Sequence, residues 1–201
     1  IHQMGPKTSN GKATEEIFLK GQFILKEKSD TDKNQPGPFK SKYQDINFSV
    51  QKIYDAQGKA HEIKLEFKST QVLVNGDSTN IPDDGTSWDL VSISCDDADI
   101  KITHLDQKII FNGLTQGAKL ENSSIHFLLN GSQNIKLQFG TFKEGDDKSV
   151  QLKDSKLNPE GTKIEFFQND GYGEGKQISF SFDENGQIAY QYDNGQVIEG
   201  V

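Results

Sequence analysis

The chain has 201 residues, a formal net charge of -8, and a basic complement made entirely of lysine, with no arginine. It therefore lacks both the basic patch and the guanidinium forks that nucleic-acid binders use, and nucleic acid is not an expected partner. Hydrophobic residues make up only 32% and mean hydropathy is -0.70, yet the apolar residues alternate in runs, which points to thin sheets with wet faces and not to disorder.

Residues 1–11 are polar, are broken by Gly5-Pro6 and Asn10-Gly11, and read as a tail or linker. Ile17 and Leu19, joined by Phe23 and Leu25, predict a first strand over 15–26. Residues 29–42 read as charged loop, with Pro36-Gly37-Pro38 forbidding regular structure. The central element is a β-hairpin over 48–67. Phe48 and Val50 alternate with polar residues going in, and His61, Ile63, Leu65 and Phe67 alternate with Glu62, Lys64, Glu66 and Lys68 coming out. Its turn runs from Tyr54 to Lys59, where Asp55 can bond its own backbone and Gly58 supplies positive φ.

A strand over 71–75, turn clusters at 75–77 and 82–85, and a strand over 87–94 bearing Trp88 come next. Short strands at 100–104 and 108–112 precede a firm one at 124–129. Asn130-Gly131 is a strong hairpin signal, and Ile135, Leu137 and Phe139 return as the partner arm. Residues 141–158 read as charged and loose. A strand over 163–168 breaks at Gly171-Tyr172-Gly173-Glu174-Gly175. A last hairpin pairs 177–182 with 187–192 around Asp183-Glu184-Asn185-Gly186, and Tyr192-Asp193-Asn194-Gly195-Gln196 turns again. No ten-residue amphipathic helix is present.

The expected fold is all-β, an antiparallel β-sandwich or barrel-like arrangement of many short strands. No apolar run approaches the roughly 20 residues of a membrane helix, and no signal-peptide pattern opens the chain. By itself that reads as cytosolic.

Chemistry-bearing patterns are sparse. Cys95, the single cysteine, allows no intrachain disulfide and reads as a half-buried small side chain. His61 shares a strand face with Ile63, Leu65 and Phe67, and reads as a hydrogen-bonded, half-buried imidazole and not a ligand. His2, His104 and His126 lack metal-site spacing. No nucleophile elbow or phosphate-binding loop occurs. Asp83-Asp84, Asp96-Asp97-Asp99 and Asp146-Asp147 lack the alternating oxygens and closing glutamate of a calcium loop, and read as solvated turns. No catalysis, cofactor or metal is expected.

Two ordered sets of residues resemble the bacterial flagellar hook protein family. Tyr54, Asp55, Gly58 and His61 match its Tyr-Asp-x-x-Gly-x-x-His signature, with Trp88 following where that family places a tryptophan. Asp170, Gly171, Tyr172 and Gly175, then Asn185 and Gly186, then Tyr192, Asn194, Gly195 and Gln196 resemble the series where the hook chain leaves its outer domain and re-enters the inner, tube-forming one. The chain departs from the family at Gly21-Gln22-Phe23, in place of an Asn-Leu-Asp-like motif, at Asp193 in place of serine, and at the bulky Tyr190.

The resemblance implies a structural subunit that polymerises with its own copies into the hook. Hook cap, rod and hook–filament junction proteins would be its neighbours, and no membrane partner is implied. It further implies export through the flagellar apparatus without a cleaved signal, and a fragment lacking the family's terminal helices. In that fragment residues 12–168 form the outer β domain, and residues 169–201 a small β-hairpin extension from a second, incomplete β domain, the inner one. Such an acidic fragment is expected to be monomeric in solution. Two alternatives stand beside this reading. One is a flagellar rod subunit. The other is a secreted carbohydrate-binding β-sandwich stacking sugars on Trp88, or on Tyr190 and Tyr192, and exposure of Trp88 discriminates it.

Overall fold

The computed structural model describes residues 7–29, 42–69, 85–118, 121, 123–140, 148–156 and 159–200. The predicted strand over 71–75, most of the turn clusters at 75–77 and 82–85, and most of the loop over 29–42 lie outside the described residues. The fold is all-β. Among the described residues, no helix is long and apolar enough to cross a membrane.

One sheet is the predicted central hairpin and its neighbours. β3 (Ile46–Tyr54) pairs antiparallel with β4 (Ala60–Ser69), β4 with β5 (Ser87–Cys95), and β5 with β7 (Lys108–Ile110). The β3–β4 register slips between Val50 and Ile53, where Lys52 takes a φ of 60°. This bulge lets Val50 and Ile53 both point inward despite their odd spacing.

The second sheet is built on β2 (Glu16–Leu25). The sequence reading expects antiparallel pairing throughout, but β2 runs parallel to β9 (Gln133–Gln138) through Glu16–Phe18, and parallel to β10 (Val150–Asp154) through Gly21–Leu25. Antiparallel pairs complete it, with β11 (Lys163–Asn169) on β2, and β8 (Ser124–Leu129) between β9 and β6 (Ile102–His104). Residues 150–154 thus correct the loose reading of that stretch. Only Val150 and Leu152 alternate there, flanked by charge, which is too short a run to register as a strand. In β8–β9, Asn130 and Gly131 both have positive φ (51° and 72°), the geometry of a type I′ turn.

The two sheets enclose one core. Phe23 sits at its centre, with the rings of Phe48, Phe67, Trp88, Phe111 and Phe139 all within 6.0 Å of its own. Offset and edge-on aromatic packing of this kind contributes beyond simple area burial. Trp88 is completely buried, and its Nε1–H donates to the Gly85 carbonyl at 2.8 Å.

A third, smaller sheet has the order β1 (Thr8–Ser9), β12 (Gly175–Phe182), β13 (Ile188–Tyr192), β14 (Val197–Glu199). Two corrections belong here. The stretch read as a tail contributes β1, whose Thr8 and Ser9 pair with Lys176 and Gly175, and a third antiparallel partner, β14, follows the last turn.

Candidate functional site

The chain passes between the small sheet and the larger body twice, outward through 10–15 and back through 169–175. These two segments lie side by side and form a neck. Lys12 N–H donates to the Tyr172 carbonyl at 2.8 Å, and Tyr172 N–H returns the bond to Lys12 at 3.0 Å. The Asp170 carboxylate caps the start of β2, accepting from Glu15 N–H at 3.0 Å and Glu16 N–H at 2.9 Å through Oδ1. Its Oδ2 accepts from Lys12 Nζ at 2.8 Å.

Thr14 is the hub of the neck and is fully buried. Its Oγ1 accepts from Tyr54 N–H at 3.0 Å and donates to Asn169 Oδ1 at 3.2 Å, while its own N–H donates to the Tyr54 carbonyl at 2.9 Å. Asn169 Nδ2 reaches the Lys52 carbonyl, and Gln133 Nε2 bonds both the Thr14 and Tyr54 carbonyls. The hairpin turn at 54–59 is thereby fastened to both neck segments.

Glycine makes the approach possible. A Cβ on Gly171 would fall 2.1 Å from Thr14 Oγ1, and one on Gly11 would fall 3.0 Å from Gly58 Cα. At Gly175 it would collide with the Asn194 side chain at 2.3 Å. Asn194 Nδ2 uses that space to bond Ser9 Oγ and the Gly173 carbonyl, both at 2.9 Å. Backbones this close leave no room for any side chain.

The residues singled out from the sequence therefore divide. Tyr54, Asp55, Gly58, Asp170, Gly171, Tyr172, Gly175, Asn194 and, two residues past the turn, His61 gather on or beside the neck, although the two sets are over a hundred positions apart. Tyr192 is buried in the small sheet, with Gly195 (φ 83°) and Gln196 in the turn after it. Asn185 and Gly186 lie at the far tip of the β12–β13 hairpin, where Asn185 N–H and Gln187 N–H bond Asp183 Oδ1. Trp88 is in the core. Sequence reasoning missed Ser9, Lys12, Thr14, Gln133 and Asn169. Each is a single polar residue in a polar stretch, and only the long-range pairing gives it a partner.

The turn aspartate does two jobs. Asp55 Oδ1 accepts from Gln57 N–H and Lys59 N–H, both at 2.9 Å, and Oδ2 lies 2.8 Å from His61 Nε2. Both side chains are buried, His61 more completely than the half-burial expected. Burial pushes the Asp55 carboxyl up, but the His61 bond and the two backbone donors outweigh it and hold it below the ordinary 3.8.

Asp170 follows the same pattern. Burial would raise its pKa, but the Lys12 ammonium and the Glu16 and Glu15 N–H groups hold it below 3.8. A carboxylate whose folded pKa is depressed stabilises the fold above its unfolded value and ceases to as the pH falls through the folded one. The urea midpoint should therefore be level above about pH 5 and decline as the pH drops through about 4. Asp170→Asn, which keeps the acceptor toward the backbone, should be less stable at neutral pH and show a shallower acid decline. An equally steep decline in that variant would place the acid-sensitive group elsewhere.

The sugar-stacking alternative loses its platforms, since Trp88, Tyr190 and Tyr192 are all buried. No protein-family model matches the chain, and no curated protein matches it. Among solved structures it is similar to the crystal structure of Helicobacter pylori flagellar hook protein FlgE2, with a TM-score of 0.50 and 18% sequence identity. The match covers 79% of this chain and 32% of the hook protein, so the chain spans about a third of that protein's length. At this identity the likeness is one of fold: the chain has a hook-protein-like β architecture.

Proposed function

We propose that this chain is part of a bacterial flagellar hook subunit, a structural protein that polymerises with its own copies into the tube transmitting torque from motor to filament. The observation carrying this reading is the neck. Two motif sets, distant in sequence, converge on the two segments that join a large β body to a small one, within a fold similar to that of a hook protein. The role is mechanical and not catalytic. Paired backbones, a buried threonine and close glycine contacts make a stiff connection through which load on one body passes to the other.

The small sheet supplies a second support. Ile178, Phe180 and Phe182, alternate residues of β12, are each 60% or more exposed, and Phe180 and Phe182 touch edge to face at 5.9 Å. An apolar row of this kind fits burial against further parts of the subunit or a neighbouring copy. It also gives the isolated chain a route to self-association, which the repulsion of its -8 charge opposes. In the cell this reading puts the protein in the external hook, exported without a cleaved signal, with cap, rod and junction proteins as neighbours. A rod subunit remains the alternative within the same class.

Antibodies raised against the folded chain, applied to intact flagella of the source cells and viewed by immunogold electron microscopy, test this. Gold confined to the curved segment between cell surface and filament is the expected result. Label on the filament, on the rod alone, or nowhere on the flagellum would overturn the assignment.

A further inference from the structure

At the end of the central hairpin, the β4–β5 register sets Ile63 opposite Cys95, which brings His61, Cys95 and the aspartates after it to one corner of the sheet. The ligating atoms of His61, Cys95 and Asp96 all lie within 4.8 Å of one another. Cys95 Sγ is 3.4 Å from Asp96 Oδ1, which also accepts from Glu62 N–H. His61 is almost fully buried. Its Nε2 is held by Asp55, while Nδ1 lies 3.9 Å from Asp97 Oδ2, beyond hydrogen-bond length. The buried imidazole thus keeps its second ring nitrogen on the side of Asp97, in the cluster that holds the Cys95 thiol and the Asp96 carboxylate.

We propose that His61, Cys95 and Asp96 bind a transition-metal ion of the zinc class, with Asp55 fixing the imidazole in its ligating tautomer. Imidazole, thiolate and carboxylate are the donors such ions take, and sulfur disfavours magnesium and calcium. Donors around a four-coordinate ion stand about 3.5 Å apart, so no pair in the corner must close by more than about 1.3 Å, and the exposed Asp96 can move. Asp55 supplies what metal-bound histidines usually have, a carboxylate on the far ring nitrogen.

A water would fill the fourth position. Asp97, tied to Lys59 Nζ at 2.6 Å, stands beside it as an acceptor. The charges facing the corner are Asp55, Asp96, Asp97 and Asp99 against Lys59, a balance that favours a cation. An unmetallated cysteine carries S–H at neutral pH. Binding then forms the metal–sulfur bond, breaks S–H and releases one proton to solvent, so affinity rises with pH. This inference is independent of the role in the hook.

Chelator-treated full chain titrated with Co2+ at neutral pH, followed by absorption and calorimetry, tests it. One equivalent should bind, with a thiolate-to-metal charge-transfer band and the strong visible bands of four-coordination, both lost on adding Zn2+. Cys95→Ser should abolish the charge-transfer band and weaken binding by more than about tenfold. Asp55→Asn should weaken it about 10–100-fold, because an amide N–H facing Nε2 forces the proton onto Nδ1. If Asp55→Asn fails to fold, Asp96→Asn, at an exposed position, takes its place with the same expected weakening. No band at millimolar Co2+, or a band that survives Cys95→Ser, would overturn the proposal, as would an affinity unchanged in every folded variant.

Discussion

Trp88→Ala is expected to lower the stability of the large body by about 3–5 kcal/mol, the usual range for deleting a buried tryptophan. The side chain is fully buried and meets the Phe23 ring edge-on at 6.0 Å. Phe23 is in turn shared by both sheets, so the cavity opens at the joint between layers, where neither sheet can collapse alone to fill it. The Nε1–H bond to Gly85 is lost as well. A domain of ordinary stability has about 5–15 kcal/mol in hand, so the variant should lose a large share of it and unfold at much lower urea than the parent. Trp88→Phe should recover most of the loss, since it keeps an aromatic face toward Phe23. Urea unfolding followed by far-ultraviolet circular dichroism reads both variants. A Trp88→Ala protein with the parent's urea midpoint would mean the core closes without this residue.

The sequence was legible where local pattern and packing agree. Residues 60–69 alternate without interruption, and the β4 face carrying His61, Ile63, Leu65 and Phe67 is the buried one. Asn130-Gly131 was equally plain, because its two positive φ values need those residue types. The bulge at Lys52 was not, since a lysine at φ 60° leaves no compositional mark. The parallel pairing of β2 with β9 and β10 was invisible for another reason. Its partners lie more than a hundred residues away, and no local signal encodes such a register.

The junction shows the same division. Gly171 and Gly175 stood out as glycines, but the reason for each is a distant side chain, Thr14 in one case and Asn194 in the other. Asp55 reads as a turn residue bonding its own backbone, and Oδ1 does this. That Oδ2 also holds His61 depends on the pairing across β3 and β4. The meeting of His61 with Cys95 depends further on the β4–β5 register, which composition does not reveal.

Gly171→Val is expected to open the neck. The backbone at Gly171 is not in the left-handed region, so the effect is purely steric: the new Cβ would sit 2.1 Å from Thr14 Oγ1 and 2.8 Å from Thr14 Cα. Thr14 cannot yield, because its hydroxyl serves Tyr54 and Asn169 while its backbone serves Tyr54 and Gln133. Overpacking of this kind takes about 1–3 kcal/mol. Breaking the buried Thr14 hydroxyl network adds about 1–3 kcal/mol more. The loss should be local. Hydrogen exchange should speed up at Lys12, Glu16 and Tyr172, whose N–H groups bond across the neck, and at Thr14, whose N–H bonds the Tyr54 carbonyl of the hairpin, while amides of β4 and β8 stay protected. Thr14→Ala in the Gly171→Ala background should restore part of the stability that Gly171→Ala alone removes, because the smaller side chain clears the Oγ1 clash; the coupling in that double-mutant cycle measures the contact itself. Unchanged exchange at those four amides in Gly171→Val would show that the two segments are not held by this contact. The neck could not then carry load between the bodies, and the mechanical reading of the molecule would lose its physical basis.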